Sequence, residues 1–513
     1  MRQVGPRPPI PAEGSRERLP PLGLPQHDAA TRGTGCGFDN TRTWTSETGD
    51  CAAGQHMSAA GNPGSWGTTP PEFSSYADPH TIRGCADAVG GGVVGARSAL
   101  LAREARGHGV PEVMKAVAVR GGVIRARLVG VKALASALTI GTGGSVGRGG
   151  AVIQIGSAFG SHLGQWLKLN AASVRTLVGC GAAAGISATF NAPIAGAIFA
   201  AEIIVGDFAV TQFTPIVISS VVASVATRYA IGNHPAFIVP DFEIVSPFEL
   251  VPYMGAGIVA GLVAVAFIRT LSFAEDNFAK IPVPEWSTAA IGGAMVGTMA
   301  IWLPNVYGVG YTTIGGALAG TMTAGMMGVL VVAKILATSV TIGSGGSGGV
   351  FAPSLFLGAM AGGVVGTLVE QYFPGATGSS GAYALVTMGA VVAAATHAPV
   401  SAIIIIFELT QTIDIIPALM TACVISTLVA QVSFRDSIYT VKLRRQGIDF
   451  FEAKNPNVLK ELSVRDVIVL DPVVVPAAAD FKTVLDLVVH AEHGIENVHG
   501  ICRKQIPHLL PPP

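Results

Sequence analysis

Apolar residues run almost without interruption from about 128 to 434, with polar or turn-rich breaks near 164–175, 204–212, 233–248, 273–287 and 303–312. Between Lys334 and Asp414 the only Asp, Glu, Lys or Arg residues are Glu370 and Glu408. A membrane-crossing helix needs about 20 apolar residues, so two or three crossings fit in that interval alone. Several of the runs are too short or too rich in glycine for a plain spanning helix. They predict helices that break inside the membrane, where irregular backbone is tolerated only if it lines protein or a cavity. Before this region, 88–102 (AVGGGVVGARSALLA) is a weak apolar stretch interrupted by Arg97, and 1–87 is a Gly-, Pro-, Ser- and Thr-rich segment predicted to be disordered. The start, MRQVGPRPPIPAEG, does not read as a signal peptide. After it, 451–513 reads as a soluble tail, with a β-branched run, a turn at Asp471-Pro472 and an amphipathic helix pattern within 462–494.

Composition agrees with the pattern. Half of the 513 residues are apolar and only 12% are charged, against about a quarter in a soluble domain. Net charge is zero and no basic block exists, so nucleic-acid binding has no electrostatic support. Cys36, Cys51, Cys85, Cys180, Cys423 and Cys502 show no CxxC spacing and predict neither a metal site nor a disulfide framework. No cofactor is expected. Walker, zinc and nucleophile-elbow motifs are absent from the sequence, so it gives no support to an enzyme. Basic residues cluster at 103–127 and again at Lys442, Arg444 and Arg445. Both clusters predict cytoplasmic loops and cytoplasmic termini on a multi-pass protein of the cell membrane, with an even number of crossings.

An internal repeat refines this picture. KALASALTIGTGGSVG (132–147) and KILATSVTIGSGGSGG (334–349) share ten of sixteen residues without a gap, at an offset of 202. ATFNAPIAGAIFAAE (188–202) then lies opposite AATHAPVSAIIIIFE (394–408), with Ala192-Pro193 meeting Ala398-Pro399 and Glu202 meeting Glu408. Duplicated halves with Gly- and Pro-broken apolar segments point to a transport site where the halves meet. A helix that starts inside the membrane has unpaired N–H groups and a positive dipole end, and so binds an anion without a full counter-charge. The repeat alone does not distinguish inverted from parallel halves.

The residues at the breaks resemble the CLC family of chloride channels and transporters. Its loop signatures are matched by Gly107-His108-Gly109-Val110-Pro111, by Gly147-Arg148-Gly149-Gly150-Ala151 and by Gly349-Val350-Phe351-Ala352-Pro353. NVYGVGYTTI (305–314), FNAPIAGAIFAAE and SIYTVKLRR are also similar to family sequence, and 462–494 resembles the start of a CBS domain. The resemblance implies an all-α polytopic membrane domain at 88–450, an inverted repeat of broken, tilted helices with halves at about 100–232 and 249–434, and a homodimer with one pore per subunit. It also implies site roles. Amides of Val350 and Phe351 would hold a central chloride, with Tyr439 and the His108–Gly109 turn on its inner side. Amides of Arg148, Gly149 and Gly150 would form an outer site. Nucleotide binding by the truncated CBS-like tail is not expected.

Departures from the family pattern set the functional expectation. The glutamate that gates the pore in the family is Gly149 here, and the second proton position falls at Ile203, beside Glu202. His108 stands where the family carries serine, and Ala151 where it carries proline. The expected function is passive conduction of chloride. The alternatives are a proton-coupled antiporter using Glu202 as a substitute acid, or a non-conducting relative. Glu202 is also open to a structural reading, because Glu408 repeats it. Family members carry membrane helices ahead of the first signature, so the two ends read as divergent or as products of a faulty reading frame.

Overall fold

The computed structural model describes residues 107–232, 247–374, 378–448 and 450, together with 473–474, 479–482 and 498–499. The predicted disordered segment 1–87 and the stretch 88–102 lie outside the described residues, as does most of the CBS-like segment. Of the tail, Val473–Val474 pairs in parallel with Val498–His499. Among the other described residues the regular elements are helices, with two isolated bridges. Six of the described helices are long and apolar enough to cross a membrane.

The first half contains α1 (Val110–Val119), α2 (Arg127–Gly141), α3 (Gly149–Trp166), α4 (Ala171–Phe190), α5 (Pro193–Phe199), a π-helical turn at Ala200–Val205, and α6 (Val210–Ile231). The second opens with α7 (Leu250–Lys280) and α8 (Glu285–Trp302). It then repeats the first: α9 (Tyr311–Leu318), α10 (Ala324–Gly343), α11 (Phe351–Tyr372), α12 (Ser380–Thr396), α13 (Pro399–Thr410) and α14 (Ile416–Ser433). A short α15 (Thr440–Arg445) follows. The break expected at 273–287 is narrower than predicted, because α7 continues to Lys280.

The chain breaks at matching places for matching reasons. Gly143 and Gly345 end α2 and α10 at φ 104° and 105°, and Gly109 and Gly310 precede α1 and α9 at φ 82°. A side chain is strained in that region, so glycine supplies the turn. Asn191 and His397 terminate α4 and α12 in left-handed conformation, at φ 55° and 56°. Each is followed by Ala-Pro, with proline in the first turn of α5 or α13, where its missing N–H costs nothing.

The halves are joined by bonds that exchange under a pseudo-twofold axis. Gly147 and Gly349, equivalent in the repeat, form an antiparallel bridge in which each N–H donates to the other's carbonyl, at 2.8 and 2.6 Å. The Ser136 and Ser347 hydroxyls meet at 3.0 Å, and their counterparts Thr338 and Ser145 at 3.3 Å. Ser145 N–H donates to Thr341 Oγ1 and Ser347 N–H to Thr139 Oγ1, at 3.3 and 3.2 Å.

The direction of the halves follows from two carboxylates. Glu408, late in α13, accepts from the Ile194 and Ala195 N–H groups at the start of α5, at 2.9 and 2.6 Å. Glu202, beyond the end of α5, accepts from the Ser401 N–H and hydroxyl at the start of α13. The end of each helix therefore meets the beginning of its own equivalent, so α5 and α13 run antiparallel. An axis along the membrane normal would leave equivalent helices parallel. The repeat is inverted.

Candidate functional site

The Gly147–Gly349 bridge brings two helix starts face to face. Beyond it the chain takes one further residue on each side, Arg148 and Val350, and enters α3 and α11. Neither helix start has a side-chain cap. The first intrahelical bonds are Val152 N–H to Arg148 O and Ser354 N–H to Val350 O. The amides of Gly149, Gly150 and Ala151, and those of Phe351 and Ala352, precede those ladders and have no helical partner. Two positive dipole ends thus lie close together.

A third chain segment closes on them. Gly107 bridges Ser347 in parallel, with its N–H on Gly346 O at 3.2 Å. This seats the His108–Gly109 turn against α3. A Cβ at Gly150 would overlap the His108 carbonyl oxygen and lie 2.8 Å from Gly349 Cα, so this contact requires glycine. His108 is 1% exposed, and its Nδ1 has no hydrogen-bond partner. Its ring centroid lies 5.9 Å from that of Tyr439, which is also 1% exposed. Tyr439 is held in place by Ile438 N–H donating to Ala395 O at 2.8 Å and by its position as the residue before α15.

Gly149 differs from Gly150. A Cβ built on it would meet only the Phe190 ring edge and Phe351 Cβ, all at 3.8 Å. That is ordinary contact, and the backbone there is right-handed helix. Nothing in the packing demands glycine at this position. Phe351 stands among Phe190 and Phe199, at centroid separations of 5.3 and 6.2 Å, which makes an apolar wall beside the helix starts. The Arg148 side chain is engaged with other elements. Its Nη2 donates to Thr189 O at 3.3 Å, and its guanidinium lies 5.8 Å from the Tyr311 ring centre.

The structure therefore brings His108, Gly109, Gly149, Gly150, Val350 and Phe351 around one point, with Arg148 behind it and Tyr439 beside His108. Ile203 is not part of this group. It is buried in the π-helical turn, which packs against α1 and α4. Glu202, next to it, is occupied in capping α13.

A family model described as voltage gated chloride channel matches residues 90–431. The chain belongs to the voltage-gated chloride channel, or CLC, family. It is 36% identical over 345 residues to a ClcB-like chloride channel protein of Ralstonia nicotianae, covering 66% of this chain and 80% of the relative. It is 30% identical over 311 residues to the voltage-gated ClC-type chloride channel ClcB of Citrobacter koseri, covering 60% and 74%. Among solved structures, a slow cyanobacterial Cl−/H+ antiporter superposes with a TM-score of 0.65 at 23% identity, covering 71% of this chain and 87% of that one. A CLC-type fluoride/proton antiporter superposes at 0.56 and 22%, covering 70% and 94%. At these identities the structural likeness speaks to the fold alone.

Within this CLC-family chain, two supporting residues were not singled out in the sequence. Lys132 and Lys334 are fully buried. Lys132 Nζ donates to Gly107 O at 2.8 Å, and Lys334 Nζ to the equivalent Gly308 O at 2.8 Å and to Val306 O at 3.0 Å. Each ammonium ties down the loop that starts α1 or α9. The signal was present: both lysines are identities of the repeat, in helices otherwise almost free of charge.

Proposed function

We propose that this protein conducts chloride passively across the membrane, with the anion held between the amides of α3 and α11. In this reading Val350 and Phe351 hold the central ion. Arg148, Gly149 and Gly150 offer their backbone N–H groups on the outer side, and His108, Gly109 and Tyr439 bound the inner side. The observation that carries it is the pair of uncapped helix starts joined at Gly147 and Gly349. Amide dipoles attract an anion without the full charge of a lysine, which suits an ion that must also leave.

The passive character rests on Gly149 and Ile203. Neither has a carboxylate to compete with chloride or to carry a proton. Glu202 is committed to Ser401, and its repeat partner Glu408 makes the same kind of bond in reverse, which favours a structural role for both. We further propose a homodimer with one pore per subunit and both termini in the cytoplasm.

The test is flux from liposomes containing the purified protein, with chloride and proton movement recorded together. Chloride efflux without proton movement is expected. Efflux linked to opposed proton movement would select the antiporter instead, and no efflux would leave a non-conducting relative.

A further inference from the structure

From Val113 to Ala201 the chain carries eight Lys and Arg residues and not one Asp or Glu. Three have defined places elsewhere: Lys115 on Gln446, Lys132 on Gly107 and Arg148 on Thr189. The other five, Arg120, Arg125, Arg127, Lys168 and Arg175, surround one short loop, 120–126, between α1 and α2. Four are exposed and Arg175 is half-buried.

The loop is pinned. Ser161 Oγ donates to Gly122 O at 2.6 Å and accepts from Ile124 N–H at 2.8 Å, and Gln165 Nε2 donates to Ile124 O at 2.9 Å. Lys168 follows Gln165 by three residues, and Arg127 follows Ile124 by three. On the other side, Gly122 lies so close to α4 that a Cβ on it would come within 3.0 Å of Arg175 N. The cations are therefore gathered by fixed backbone. Glu112 is the acid that lines the same small cavity as Arg120 and Arg125, and it is paired with Lys442 at 3.4 Å. Arg127, Lys168 and Arg175 add three further positive charges in a stretch with no Asp or Glu. Arg175 Nε is shielded from solvent and has no acceptor in the protein.

Apolar residues rim this cluster. Val119, Val123, Trp166, Leu167 and Leu169 are all exposed, Trp166 by 74%. An exposed tryptophan and leucines among cations, at the ends of membrane-embedded helices, match the headgroup boundary of a bilayer.

We propose that this face binds the phosphodiester headgroup of an acidic phospholipid. The guanidinium groups of Arg127 and Arg175 and the ammonium of Lys168 take the phosphate, and the Trp166–Leu169 rim takes the adjoining acyl region. Inorganic phosphate shares the headgroup chemistry but would leave the apolar rim unused. The proposal is independent of what crosses the pore.

The test is native mass spectrometry of the full chain in detergent, with phosphatidylglycerol and phosphatidylcholine supplied in equal amounts. Wild type should retain the acidic lipid over the zwitterionic one by about five-fold for each engaged cation. Arg127→Gln, Lys168→Gln and Arg175→Gln together should abolish the preference. Arg127→Lys, Lys168→Arg and Arg175→Lys together should keep it. Lys168→Gln alone, at an exposed position, should weaken the preference without touching the fold. Equal retention of both lipids by wild type would overturn the proposal, as would an undiminished preference in a folded neutral triple variant. Displacement of the lipid by an excess of inorganic phosphate would replace the lipid site with one for a soluble anion.

Discussion

At residue scale, neighbouring glycines at the start of α3 impose opposite demands. Gly150 touches the His108 carbonyl and the backbone of Gly349, so Gly150→Ala should push the three loops apart. A loss of about 1–3 kcal/mol is expected, the range for overpacking in a close-packed interior, read as a lower melting temperature in detergent. Gly149→Glu should fold normally, since its Cβ has room beside Phe190 and Phe351. The new carboxylate would stand at the amides proposed to hold the anion. Chloride efflux should then fall about ten-fold or more and recover as acid pH protonates the side chain. Unchanged efflux at all pH values would remove residue 149 from the conduction path. This contrast was only half legible in the sequence, where two adjacent glycines look alike. Only the distance from each Cβ to its neighbours separates a glycine required by packing from one that marks a missing side chain. His108 was flagged by its motif position, but its approach to the Tyr439 ring depends on residues more than 300 positions apart.

At the scale of elements, the halves are interlocked by carboxylates that cap each other's helices. Removing one partner takes the cap from a helix start, with an expected cost of about 0.5–2 kcal/mol. Glu408→Ala should therefore lower the melting temperature and leave ion specificity alone. Glu202→Gln should retain part of the cap through its amide oxygen and leave chloride efflux without proton movement. A change in proton movement in this variant would restore Glu202 to a transport role. Lys132→Met makes the parallel case in a buried cation, since it leaves Gly107 O without its 2.8 Å donor and loosens the turn that carries His108. A similar loss of stability is expected, together with slower efflux. Lys334→Met should cost stability likewise, because it leaves Gly308 O and Val306 O without their donor. The repeat made these pairs visible as identities, and the Glu pair was read from register alone. What the pairs bond to was not legible, because a sequence alignment of halves gives equivalence and not contact. The π-helical turn at Ala200–Val205 had no sequence signal at all.

At the scale of the whole molecule, hydropathy and repeat together pointed to a polytopic membrane protein built on a duplication, the loop signatures carried the resemblance to the family and its inverted repeat, and the contacts between α5 and α13 establish the inversion independently. Identical residues at a constant offset are equally compatible with a parallel repeat. Antiparallel packing of α5 on α13 excludes that, and it has a consequence outside the contact itself. Equivalent helices must end on opposite faces of the membrane. Trp166 closes α3, and Tyr372 closes α11 one turn beyond the equivalent of Trp166; both are 74% exposed. In a variant lacking the six native cysteines, Trp166→Cys and Tyr372→Cys should react with a membrane-impermeant maleimide from opposite sides of oriented vesicles. Cys180 and Cys423 are both buried, so the melting temperature of that background must first match that of wild type. Labelling of both positions from one side would mean that the halves run in parallel. In that case the Gly147–Gly349 bridge would no longer set two helix starts against each other from opposite leaflets. A shared anion position between them would lose its geometric basis, however well the local bond lengths were satisfied.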